Sequence, residues 1–122
     1  MKAAGHLQQG AADAEICREI SPRPGDIVIT KRKTSSFFGT DLEIILRARN
    51  IDTLSLTVVS YLMSFESTAR AAFDLDYRLF VIGDCCADRD IEDNKIALNH
   101  LLPKITVCTT EDFVAPINRQ SS

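Results

Sequence analysis

At 122 residues the chain has room for one domain, and its 45% hydrophobic and 25% charged content suits a soluble globular fold with a real core. A formal net charge of -3 with no basic stripe argues against a nucleic-acid partner. No apolar run approaches the ~18 residues of a membrane span, and the opening MKAAGHLQQGAADAE lacks the apolar stretch of a secretory signal, so the expected location is cytoplasmic, with no membrane partner.

Residues 1–13 read as a disordered leader. A short helix is expected from about Asp13 to Ile20, with Ile16, Cys17 and Ile20 on one face, stopped by Pro22 and Pro24. Gly25-Asp26 turns the chain into a strand, Ile27 to Lys31, and a loop runs from Arg32 to Gly39. Lys31, Arg32 and Lys33 form the densest basic run, and the last two fit a solvated strand end as well as a function.

Thr40 and Glu43 have the spacing of a capping box, Leu42, Ile45, Leu46 and Arg49 recur at helical spacing, and Asn50 suits the stop. A strand, Leu54 to Val59, leads through a short turn to a helix from about Leu62 to Phe73 that should bury Phe65, Ala69, Ala72 and Phe73. Arg78 to Ile82 is a third strand, its LFVI run short and apolar, and Gly83-Asp84 ends it. A helix capped by Asp90 carries Ile91, Ile96, Ala97 and Leu101 as far as Pro103. Ile105 to Cys108 is a fourth strand, followed by a helical turn begun by Thr110 and Glu111, and residues 117–122 read as a tail.

Alternating helices and near-continuous apolar strands imply right-handed crossovers and parallel pairing. The expected class is therefore α/β, a three-layer αβα, Rossmann-like arrangement with a mostly parallel sheet. Sites in such sheets lie beyond the carboxyl ends of the strands. Those ends carry Lys31, the Val58 to Tyr61 turn, Gly83-Asp84 and Cys108-Thr109.

Cys17, Cys85, Cys86 and Cys108 share no CxxC spacing and are expected to be reduced and buried as small hydrophobes. His6 and His100 stand far apart without ligand-type carboxylate spacing, so no metal site is expected, and no cofactor. Gly39 and Gly83 are isolated, which leaves no phosphate loop. Asp84 reads either as a catalytic acid or as a carboxylate bonded to the backbone of the following turn. Phe37 and Phe38 either line a pocket or pack under the next helix.

Two stretches carry a family resemblance. Lys31 followed by Ser36-Phe37-Phe38-Gly39-Thr40-Asp41-Leu42, and Glu66-Ser67-Thr68-Ala69-Arg70, resemble the isochorismatase-like cysteine hydrolases, and the likeness runs from about Ala14 to Ala115. The resemblance implies that family's sheet, ordered 3-2-1-4-5-6, and hydrolysis of amide or other C–N bonds, or of vinyl ethers, in small molecules. It implies a cysteine nucleophile served by an aspartate and a lysine, with backbone N–H groups as the oxyanion hole. Lys31 falls on the lysine position and Ser64 on the cysteine position, while Ser60 and Tyr61 fall on the oxyanion turn and Phe37 near the substrate.

The departures shape the functional expectation. A thiol at a helix N-terminus would be largely thiolate, whereas a serine hydroxyl needs a neighbouring base. Ser64 therefore reads either as a nucleophile in need of a base or as a helix cap. Lys31 reads either as support for developing negative charge or as a solvated lysine. Val58 stands where the family has glycine.

The family's first two strands, with the aspartate, precede the stretch that starts near Ala14, and residues 1–13 resemble neither. The expectation is a partial domain over 14–116, N-terminally truncated, with a hydrolase ancestry and impaired catalysis on a small-molecule substrate. The alternative is a pseudoenzyme or fragment serving as an interaction or structural module. Either the Ile27–Lys31 strand pairs directly with the 54–59 strand, or open edges remain and the chain forms a homo-oligomer.

Overall fold

The computed structural model describes residues 15–57, 64–85 and 105–120, the last three without their side chains. Within them three strands, β1 (Thr53–Leu56), β2 (Arg78–Ile82) and β3 (Ile105–Cys108), form one parallel sheet in the order β1-β2-β3. Three helices accompany it: α1 (Leu42–Ala48), α2 (Glu66–Asp74) and α3 (Thr110–Gln120). The α/β class and parallel pairing follow the expectation. The helix expected between Asp90 and Pro103 lies outside the described residues.

The register sorts the strand residues onto two faces. Leu54 pairs with Leu79, Leu56 with Val81, and Leu79 with Ile105, so these apolar side chains share one face. They form the main core with Leu46 of α1 and Phe65, Ala69 and Ala72 around α2, joined by Phe37 and Tyr77. On the opposite face Phe80 meets Phe113 of α3, ring centroids 5.9 Å apart. α2 and α3 thus cover opposite faces, which gives the three layers.

Both helix-to-strand passages among the described residues use the same stop. Asn50 and Asp76 adopt left-handed φ values of 54° and 65°. At each, the next residue's N–H reaches back five positions, Ile51 to the Leu46 carbonyl at 3.0 Å and Tyr77 to the Ala72 carbonyl at 2.9 Å. Together with the shorter Asn50 to Arg47 and Asp76 to Phe73 bonds, these are Schellman motifs. Asn50 therefore stops α1 as its sequence position indicates. The two exits lie side by side, because the Arg78 N–H donates to the Asp52 carbonyl at 2.9 Å.

Several expectations are corrected. Ile27–Lys31 forms no strand and joins no sheet, and Ile27 and Val28 are 41% and 59% exposed. An apolar run becomes a strand only where a ladder partner meets it, and here the following loop is pinned to α2 instead. The helix expected from Asp13 to Ile20 is, within the described residues, a single 3-10 turn over Arg18–Ile20 that buries nothing. α1 starts one residue late, with Asp41 at its N-cap, because the Thr40 hydroxyl donates to the Ser36 carbonyl at 2.6 Å. That hydroxyl accepts the Leu42 N–H at 3.3 Å, and Glu43 lies 4.0 Å from Arg47 rather than closing a capping box.

Phe73 is 37% exposed, whereas Phe65, Ala69 and Ala72 are buried as expected and Thr68 joins them. The inward stripe runs through Phe65, Thr68, Ala69 and Ala72, and Phe73 falls at its margin. Cys17 and Cys85 are exposed and Cys108 half-buried, all three as free thiols, because they lie beyond the core-facing positions. α3 runs for about three turns where a single turn is expected, and passes through Pro116.

Candidate active-site rim

Ser64 and Phe65 have π-helical geometry where the chain enters α2. Phe65 is fully buried and anchors the turn, leaving Ser64 half-buried beside it. The Ser60 and Tyr61 positions lie outside the described residues, as do both histidines.

Lys31 lies exposed in the preceding loop. Its Nζ donates to the carbonyls of Lys33 and Thr34, each at 3.1 Å, so two of its three donors close its own loop. The loop then docks on α2. The Ser36 N–H donates to Thr68 Oγ1 at 3.0 Å, and the Thr68 hydroxyl lies 3.3 Å from Ser36 Oγ. Ser35 Oγ accepts the Phe37 N–H at 3.1 Å. Gly39, at φ +67°, makes the turn into α1 in a conformation that a side chain would strain.

Phe37 is a core residue, stacked on Tyr77 at 5.9 Å, and Phe38 is 68% exposed. Phe37 thus takes the packing role of the two sequence readings, and Phe38 is the ring left facing outward. The Lys31 loop and the Ser64 turn share α2 through Thr68. Sequence reading missed the Ser36–Thr68 link, because the two residues are 32 apart and neither carries a local signal of the contact.

Across the sheet, the carboxyl ends of β2 and β3 are clamped by Asp84. Its Oδ1 accepts the Thr110 N–H at 2.8 Å and the Thr110 hydroxyl at 3.0 Å. The carboxylate thus holds the first turn of α3, which corrects the expected bond to the turn directly after β2. Thr109 Oγ1 accepts the Asp112 N–H at 3.2 Å, making Thr109 the N-cap. Cys85 Sγ lies 3.1 Å from Thr110 Oγ1. Among the described residues no group of three or more His, Cys, Asp or Glu side chains could hold a metal, and no helix is long and apolar enough to cross a membrane.

The family model described as "Isochorismatase domain" matches residues 1–112. The chain belongs to the isochorismatase family. The match takes in the first thirteen residues, which the sequence reading set apart as a leader. A relative in Bacillus subtilis, the uncharacterized isochorismatase family protein YwoC, is 39% identical over 105 residues, 85% of this chain and 56% of that protein. The ureidoacrylate amidohydrolase RutB of Variovorax paradoxus is 41% identical over 64% of this chain and 31% of its own length. Among solved structures, an isochorismatase-like hydrolase from Alkaliphilus metalliredigens matches with a TM-score of 0.84 and 28% identity, covering 91% of this chain and 61% of that one. N-carbamoylsarcosine amidase from Thermoplasma acidophilum matches with a TM-score of 0.77 and 34% identity, covering 85% of this chain and 60% of that one. This family member spans about half the length of the curated relatives it matches.

Proposed function

We propose that the chain is an isochorismatase-family hydrolase domain of the C–N-cleaving kind, in which Ser64 occupies the nucleophile position and turnover is strongly impaired. The carrying observation is the placement of Ser64: a half-buried serine at the mouth of α2, on the position where the family resemblance implies a cysteine. The similarity to proteins named as a ureidoacrylate amidohydrolase and an N-carbamoylsarcosine amidase supports small amide or ureido compounds as the substrate class.

Attack on a carbonyl requires the hydroxyl proton to leave as the C–O bond forms. A neutral serine therefore needs an adjacent acceptor. Among the described residues no imidazole or carboxylate hydrogen-bonds Ser64, and the Lys31 ammonium is engaged with the carbonyls of Lys33 and Thr34. The members of such a site act as a unit, so losing one costs several orders of magnitude.

Ammonia release from N-carbamoyl, ureido and carboxamide substrates tests the reading. The chain is expected to stay at the blank rate. Ser64→Cys should gain alkylation by iodoacetamide at the introduced thiol, followed by peptide mass spectrometry, without gaining turnover. Substrate turnover by the unaltered chain that disappears in Ser64→Ala would overturn the impairment. A thiol at position 64 no more reactive than an ordinary one would overturn the site.

The open side of β1 favours a second reading, a non-catalytic interaction module. Among the described residues that strand pairs only with β2.

A further inference from the structure

Ser36 is held at three points between α1 and α2. Its N–H donates to Thr68 Oγ1 at 3.0 Å, its Oγ lies 3.3 Å from the same hydroxyl, and its carbonyl accepts the Thr40 hydroxyl at 2.6 Å. The next residue adds to the restraint, because Phe37 is packed in the core and its N–H is taken by Ser35 Oγ. Two residues before Ser36, the Thr34 carbonyl accepts the Lys31 ammonium at 3.1 Å. The Lys31 Nζ is thus tied, through the backbone of residues 34–36, to a side chain of α2. Residues 31–40 have neither helical nor strand backbone, so these contacts set the place of the loop.

Thr68 stands four residues after Ser64, one helical turn along the same side of the chain. Its side chain is 7% exposed, in an inward stripe otherwise made of Phe65, Ala69 and Ala72. A threonine inside a helix commonly turns its hydroxyl back to the carbonyl four residues earlier, here that of Ser64. Ser36 engages this hydroxyl instead, so the buried polar group in the stripe serves the loop and not its own helix. On α2 itself the Glu66 carboxylate accepts from Arg70 Nη2 at 2.7 Å and from Nε at 2.9 Å, which pairs the charges of the first two turns.

We infer, on the reading that Ser64 and Lys31 belong to one site, that Thr68 is the positioning residue of that site. It holds the Ser36 end of the loop one turn along α2 from Ser64, and so sets where the Lys31 ammonium lies relative to the group at position 64.

Ser64→Cys in the full chain puts a titratable reporter at the site. Trypsin, cutting after Arg49 and Arg70, releases a peptide in which position 64 holds the only cysteine, so iodoacetamide labelling there is read apart from the native thiols. Near neutral pH the labelling rate follows the thiolate fraction, which a nearby ammonium raises. Lys31→Met should slow labelling roughly threefold. Thr68→Val and, from the loop side, Ser36→Pro should slow it by a comparable factor, while Thr68→Ser keeps the parent rate. Lys31→Met combined with Thr68→Val should be no slower than Lys31→Met alone, because both act through one ammonium. At about pH 10 the thiol is ionised in every variant and the rates should converge, which separates a change in ionisation from a change in access. Arg32, Lys33 and Asp41 are the same throughout.

A purely structural Thr68 would lower stability and leave the labelling profile unchanged, which would overturn the proposal. So would losses that add in the double variant. Lys31→Met without effect would overturn it together with the shared site. An effect of Lys31→Met with none from Thr68→Val or Ser36→Pro would overturn the positioning role alone.

Discussion

Tyr77→Phe should make the protein more stable. Tyr77 is 4% exposed, and its hydroxyl is buried without a hydrogen-bond partner among the described residues. The ring is well used: Phe37 stacks on it at 5.9 Å with 29° between planes, and the Arg47 guanidinium carbon lies 4.6 Å from its centroid. Arg47 also donates to the Leu75 carbonyl, tying α1 to the end of α2 across that ring. Phenylalanine keeps the stacking and the cation–π contact and removes only the orphaned hydroxyl. An unpartnered buried hydroxyl costs about 1–3 kcal/mol in protein substitutions, and the lost oxygen contacts offset part of that. The expected gain is about 1 kcal/mol, or about 4 °C in Tm for a chain of this size. Urea unfolding followed by far-UV circular dichroism measures it, with an unchanged slope showing that the unfolded state has not altered. A Tyr77→Phe protein less stable by about 1 kcal/mol would refute the reasoning, because the hydroxyl would then hold a favourable bond in solution.

Thr68→Val should cost about 1–2 kcal/mol in urea unfolding by orphaning the Ser36 N–H, with Thr68→Ser recovering most of the loss. Asp76→Gly should gain about 0.5 kcal/mol by relieving its left-handed φ, and Asp76→Ala should lose a comparable amount in the same measurement. Asp84→Ala should cost about 1 kcal/mol and raise amide hydrogen exchange in the first turn of α3, while β1 amides stay as they are.

The fold was legible where burial alone decides structure. The LFVI run is apolar on both faces, and a strand flanked by helices on either side needs that composition. It was less legible where a side chain had two possible bonds. Thr40 has the residues around it for a capping box, but a serine carbonyl four residues back takes its proton and shifts the cap by one residue. Ile27–Lys31 has a strand's composition, yet composition cannot supply a neighbour, and the loop that follows is held on α2. At the site, the motifs singled out Lys31 and Ser64, but not what restrains them. The Lys31 ammonium turns back on its own loop, and Asp84 reaches a threonine 26 residues away, contacts that no local spacing encodes.

The paired stops ahead of β1 and β2 have a consequence for which sequence changes the fold can absorb. The alignment of the two strands is fixed outside them, where the two helix exits meet through the Arg78 N–H and the Asp52 carbonyl. Substitutions at Asn50 or Asp76 alter only the ease of the turn. A residue inserted or deleted in either turn would slide one strand past its neighbour by one position and exchange its inner and outer faces, sending Leu79 and Val81 into the layer of Phe80. Over evolutionary time these turns should vary freely in residue type and scarcely at all in length.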